Sequence, residues 1–184
     1  MSITAIDPKT ALIVVDLQAG IAGRVPKPVL LPLLDRNQAL LAAFRARGLP
    51  VVLVNVAGLA PGRCEQSWAG GALPAGWDEL LPELGRQAGD ITVTKRTWGA
   101  FTGTGLAERL RGLGVTQVVV TGVATSAGVE STARQAHELG LNVTLAIDAM
   151  TDMSAQAHER SVRLIFPRLG ETGTAQEIID QLGA

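Results

Sequence analysis

The sequence predicts a three-layer α/β fold, with a mostly parallel sheet of five to six strands and helices on both faces. Two observations predict it. Short apolar, β-branched runs recur along the chain, each too continuous for a strand with one solvated face, which is the pattern of parallel strands covered on both sides. Between them lie stretches with helical spacing, several closed by a glycine that suits the left-handed residue just past a helix end. Strand and helix in alternation specify an open parallel sheet joined by right-handed crossovers.

The strand runs fall at residues 11–16, Val51–Val56, 91–94, 117–121 and 142–147. Helical spacing covers 33–47, 105–113, 125–139, 154–166 and 174–182, with Gly48, Gly114 and Gly140 past three of these ends. A sixth, short strand has a weaker signal near 168–171. The stretch 58–89 breaks the alternation, because Pro61, Gly62, Gly70, Gly71, Pro74, Gly76 and Pro82 make it a long loop, and it carries Trp68 and Trp77. Loops of that length are usually lids or interface segments. The two tryptophans are expected at a subunit interface in preference to a pocket.

With 184 residues the chain, read as one domain over 1–184, can bury about seventy per cent of its unfolded surface. A hydrophobic fraction of 47% against 18% charged residues describes a compact protein and not a disordered one. The net charge is −1 and the basic residues are scattered, so nothing marks a nucleic-acid or anionic-membrane partner. The start of the chain lacks the pattern of a secretory signal, and no run reaches transmembrane length, so a cytoplasmic location is expected. The lone Cys64 has no internal disulfide partner, and His137 and His158 have no metal-ligand spacing; no metal and no cofactor are expected. Both histidines are read as helix residues away from the strand ends, and Cys64 as a passive loop residue.

In open α/β sheets ligands bind beyond the carboxyl ends of the strands. There the sequence places Asp16 and Gln18, Asn55, Lys95 and Arg96, and the turn from Thr121 to Gly128. An acid closing an apolar run is partly desolvated, and a lysine from another strand end could pair with it to handle protons. From spacing alone it is equally possible that Asp16 caps a turn and Lys95 is a solvated charge. The small residues after Gly122 could offer backbone N–H groups to an oxyanion or serve packing. No GxGxxG fingerprint follows the first strand, and no Walker lysine occurs.

Three motifs in order resemble the isochorismatase-like hydrolases: Leu12-Ile13-Val14-Val15-Asp16-Leu17-Gln18, Thr94-Lys95-Arg96-Thr97-Trp98-Gly99-Ala100-Phe101, and Gly122-Val123-Ala124-Thr125 through Val129-Glu130-Ser131-Thr132-Ala133-Arg134. The later Asp148-Ala149-Met150-Thr151-Asp152 is also similar to that family's pattern. The resemblance implies a Rossmann-like sheet, a homo-oligomer, a small-molecule substrate and an Asp–Lys–Cys triad whose first two members are Asp16 and Lys95. Where the family usually has its cysteine, this sequence has Gly128. A glycine cannot attack a carbonyl, so amide hydrolysis by the family's thiol route is not expected.

True isochorismatases resemble this chain in having glycine there, and they cleave a vinyl ether. By that resemblance a protonated Asp16 would deliver its proton to an enolpyruvyl methylene carbon, with Lys95 orienting acid or substrate. A nearby ammonium lowers the pKa of Asp16 while burial raises it, and a general acid needs the raised value. Gln18, Asn55, Arg24, Arg63 and Arg96 are candidates to hold substrate carboxylates. Trp98 and Phe101 are expected to wall the pocket, Phe101 with the stronger claim, alongside the backbone of Val123, Ala124 and Thr125. A cis peptide is expected at Val123–Ala124. Two other readings stay open: a catalytically silent small-molecule-binding or scaffolding protein, and an acyl hydrolase in which Asp16 activates water.

Overall fold

In the computed structural model, residues 3–58, 60–65 and 73–183 are described. In chain order the elements are β1 (Thr10–Val15), α1 (Ala19–Ala22), α2 (Lys27–Ala46), β2 (Val51–Val56), β3 (Ile91–Lys95), α3 (Leu106–Gly112), β4 (Gln117–Val123), α4 (Glu130–Glu138), β5 (Asn142–Thr151), α5 (Ala155–Arg160), β6 (Glu171–Gly173) and α6 (Ala175–Gly183). The strands form one sheet in the order β3-β2-β1-β4-β5-β6, every pairing parallel. The chain therefore builds outward from β1 to β3, returns to place β4 on the other side of β1, and builds outward again. The switch point between β1 and β4 is where such sheets leave a crevice.

Central strands need cover on both faces, and β1 has it at every residue. Its side chains alternate between two cores. Ile13 and Val15 join Val52, Val118 and Val120 against Leu106, Leu110 and Ala133 of α3 and α4. Leu12 and Val14 join Leu53 and Val119 against Leu40, Phe44 and Ile178 of α2 and α6. Gly122 has φ +115, and a Cβ there would lie 2.0 Å from the Val15 carbonyl oxygen, so only glycine lets β4 approach the end of β1 this closely.

The differences from the sequence reading have local causes. Helix α2 begins at Lys27, earlier than the expected residue 33, running through Pro28 and Pro32. Pro28 sits in the first turn, where its missing N–H costs nothing, and Pro32 faces outward and forfeits one backbone bond. The helix expected at 125–139 starts as a wider π turn, Thr125–Val129, before α4, and the one expected at 154–166 passes into a second π turn, Ser161–Ile165, after α5. Strand β5 runs on to Thr151 through a bulge: Val120 pairs Leu145 but Gly122 pairs Met150. The sixth strand lies at Glu171–Gly173, slightly beyond its expected place. Gly48, Gly114 and Gly140 all have positive φ. In the long loop, Trp77 packs on Gly20, Leu80 bridges Gln18, and Trp68 lies outside the described residues.

Among the described residues, no helix is long and apolar enough to cross a membrane.

Candidate active site

A cavity of about 500 Å³ opens over the carboxyl ends of β1, β2, β3 and β4. Asp16, Lys95 and Gly128 line it together with Ile21, Arg24, Val56, Trp77, Thr97, Trp98, Val123, Ala124 and Met153. Asp16 follows the last residue of β1 and still donates its N–H to Val54 O at 2.9 Å. It then takes a left-handed backbone, φ 52, a region that aspartate enters more readily than most residues.

Lys95 closes β3, two strands from β1 and so roughly 10 Å away. Only a long side chain spans that gap. Its Nζ donates to Asp16 Oδ2 at 2.8 Å and to Thr97 O at 3.1 Å. Both residues are buried, Lys95 at 2% exposure and Asp16 at 5%. The other carboxyl oxygen, Asp16 Oδ1, is buried without a partner among the described residues. Burial pushes the Asp16 pKa up to about 6, against the lowering pull of the Lys95 charge and its hydrogen bond. Desolvation thus wins the contest that the sequence left open.

Gly128 lies in the π turn after β4, facing this pair. A Cβ built there would be 2.9 Å from Asp16 Oδ2 and 3.0 Å from Val15 Cγ1. Those distances are tighter than side chains normally tolerate, so the carboxylate and a valine methyl already occupy the room a side chain would need. The Val123–Ala124 peptide beside it is cis. The turn is held from outside: Asp152 Oδ2 accepts from Ser126 N and Ser126 Oγ, both at 2.8 Å, and Thr125 Oγ1 shares a 2.8 Å hydrogen bond with His158 Nδ1. Burial keeps the His158 pKa below the usual imidazole range, with the Asp152 charge opposing.

Of the residues named from sequence, Asp16, Lys95, Gly128, Trp98, Val123, Ala124 and Arg24 meet on the cavity wall; the others do not. Gln18 is fully buried and spends its amide on β2 and the long loop, accepting from Val56 N at 2.7 Å and donating to Val56 O and Trp77 O. Asn55 donates to Asp78 O and accepts from Thr94 Oγ1, binding β2 to β3 and to the loop. Arg96 is exposed and donates to Ala57 O. Thr125 is buried behind the turn, bonded to His158. Phe101 packs against the core, and Trp98, 61% exposed, is the aromatic residue of that motif on the cavity wall. His158, read from sequence as remote from the strand ends, reaches the turn after β4. Trp77, which the sequence allowed to cover either a pocket or a neighbouring subunit, lines the cavity, and Cys64 is exposed. Composition marked Trp77 only as unusual in its loop, and nothing local marked Met153 or Ile21.

A parallel sheet of this order with a buried acid–lysine pair beside a cavity at its switch point defines a doubly wound α/β protein with a candidate small-molecule site. The isochorismatase domain model matches residues 10–177. The chain belongs to the isochorismatase family of hydrolases. It is 42% identical over 181 residues to the isochorismatase family protein YwoC of Bacillus subtilis (strain 168), covering 95% of this chain and 94% of that one. With the family protein YecD of Escherichia coli O157:H7 the identity is 39% over 180 residues, covering 94% and 96%. The solved structure of an isochorismatase family protein from Burkholderia thailandensis superposes with a TM-score of 0.93 at 38% identity, over 100% of both chains.

Proposed function

We propose that this protein hydrolyses a small metabolite without a thiol nucleophile, using Asp16 as a general acid, and that the bond cleaved is the vinyl ether of an isochorismate-like substrate. The observation that carries the reading is Asp16 itself: a carboxyl on the cavity floor, raised to about 6, with one oxygen on Lys95 and the other unpartnered. An acid with that pKa keeps a protonated fraction near neutrality, which proton transfer to carbon requires.

The Asp16 proton moves to the terminal methylene carbon of the enolpyruvyl group, whose π electrons form the new C–H bond. The resulting oxocarbenium ion is captured by water, one of whose protons returns to the Asp16 carboxylate. The hemiketal then breaks its bond to the alcohol oxygen, which takes the second proton, releasing pyruvate and the alcohol. Lys95 steadies the carboxylate when it is charged and fixes its orientation through Thr97 O. Gly128, at the position that the family resemblance gives to a nucleophilic cysteine, leaves the substrate free to approach the carboxyl. The largely apolar walls weaken competition from bulk water.

The test is release of pyruvate from isochorismate by the purified protein beside an Asp16→Asn variant. Release that disappears in the variant supports the acid role. No release from any vinyl ether, with saturable ligand binding retained, favours the silent binding protein instead.

A further inference from the structure

We propose that Arg24 is the specificity-determining residue of this cavity, holding a carboxylate of a substrate whose apolar body lies against the remaining walls. Three features of the short segment after β1 converge on it. Ile21, in α1, and Arg24, in the turn that follows Ala22, both line the cavity. The backbone beneath them is fixed: Arg24 N donates to Ile21 O at 3.1 Å and Val25 N to Ala22 O at 3.0 Å, while the side chains of Ala22 and Val25 are buried. Gly20, at the start of the same segment, is covered by the Trp77 ring, which is itself cavity wall. The backbone that carries Arg24 is thus braced, while its side chain is exposed.

Charge accounting in the cavity gives this arginine its meaning. Among the described residues, no carboxylate pairs with Arg24 and no hydrogen bond occupies it. Lys95, the other cation of the lining, is nearly inaccessible and already committed to Asp16 and Thr97. Arg96 is turned to the Ala57 carbonyl. Residues 59 and 66–72, adjacent in sequence to the lining residues Gly58 and Leu73, contain no Lys, Arg or His. Arg24 shares the cavity lining with Ile21, Val56, Trp77, Trp98 and Met153, and a guanidinium without an ion pair suits a planar carboxylate, which it can bind through two parallel N–H bonds. A phosphate, with nearly two charges, calls for more donors than this wall offers.

The assignment deepens the hydrolase reading and rests on it for the position of the scissile bond, with Arg24 anchoring the substrate while Asp16 meets the reacting carbon. Binding can be measured without turnover, using tryptophan fluorescence or calorimetry with benzoate, its neutral counterpart benzamide, and phenyl phosphate. Benzoate is expected to bind about tenfold more tightly than benzamide and more tightly than phenyl phosphate. Arg24→Gln should erase that preference while leaving benzamide binding unchanged, and Arg24→Lys should restore part of it. Equal binding of benzoate and benzamide, a preference that survives Arg24→Gln, tighter binding of phenyl phosphate, or no benzoate saturation at millimolar concentration would each overturn the proposal. No benzoate preference in the unsubstituted protein, with Asp16-dependent turnover intact, sinks the Arg24 assignment alone; a benzoate preference that depends on Arg24, with turnover independent of Asp16, sinks the acid mechanism alone.

Discussion

Two sets of buried polar groups lie within a few residues of each other at the same end of the sheet, and they are built on opposite terms. Gln18 and Asn55 are neutral, and both the oxygen and the amide nitrogen of each are used on backbone or on Thr94. Asp16 and Lys95 carry charge, and one carboxyl oxygen is left with no partner. A buried polar group normally finds its hydrogen bonds, because leaving one unmade costs about 1–3 kcal/mol. The first pair therefore reads as architecture and the second as a group kept ready for something else. Thr10 Oγ1, at the far end of β1, is also unpartnered. It is a neutral hydroxyl remote from the cavity, so an orphaned atom marks a site only where a cavity and a charge accompany it.

The contrast breaks most directly by substitution at Asp16. Asp16→Asn keeps the shape but has no transferable acid proton, and turnover is expected to fall by about 10²–10⁴-fold with the circular dichroism spectrum unchanged. A variant with near-normal rates would return Asp16 to the architectural class.

Acidity gives the next effect. Because burial raises the Asp16 pKa to about 6, kcat/KM should be level at lower pH and fall about tenfold per pH unit above that value. A rate that climbs through the same range would make Asp16 a base, as in water-activated acyl hydrolysis. The stability linkage has a definite sign. The folded value lies above the 3.8 of an ordinary aspartate, so the stabilisation is complete below that and is lost as pH rises through about 6. Lys95→Met removes the two influences that lower the Asp16 pKa, so any residual activity should have its falling limb displaced toward alkaline pH.

At Gln18 the opposite pattern is expected. Gln18→Leu removes the side-chain bonds to Val56 N–H and Val56 O and one of the two donors to Trp77 O, Gly20 N–H remaining, which should cost about 2–3 kcal/mol in a denaturant melt. Turnover by the fraction that remains folded should be far less affected than by Asp16→Asn. The smallest effect is at Gly128. Gly128→Ala sets a methyl 2.9 Å from Asp16 Oδ2, and should lower stability by about 1–3 kcal/mol and displace the carboxyl enough to slow turnover. The same crowding means that Gly128→Cys is not expected to restore amidase activity by itself, which an amide panel would check.

Much of this was legible without coordinates. Continuous β-branched runs such as Leu12-Ile13-Val14-Val15 suit a strand covered on both faces, and the acid that ends the run then sits at that strand's carboxyl end. Polar residues at strand ends were all credible ligands on that basis. Sequence could not separate them, because whether a side chain is used up by the protein depends on partners far away in the chain. Gln18 meets residues 56 and 77, Asn55 meets 78 and 94, and Thr125 meets 158. Sequence favoured Phe101 over Trp98 for the pocket wall, and the structure reverses that, because the two lie three residues apart in an irregular segment with no period to assign their faces.

The sequence by itself determined the layered parallel architecture and the chemical types at the strand ends, since both follow from local pattern and side-chain identity. Only the tertiary structure decided which of those groups share one cavity, that Lys95 reaches across β2 to Asp16, and that desolvation outweighs the lysine at that carboxyl. Those outcomes depend on distances and on exclusion of water, and these arise only when segments remote in the chain are packed together.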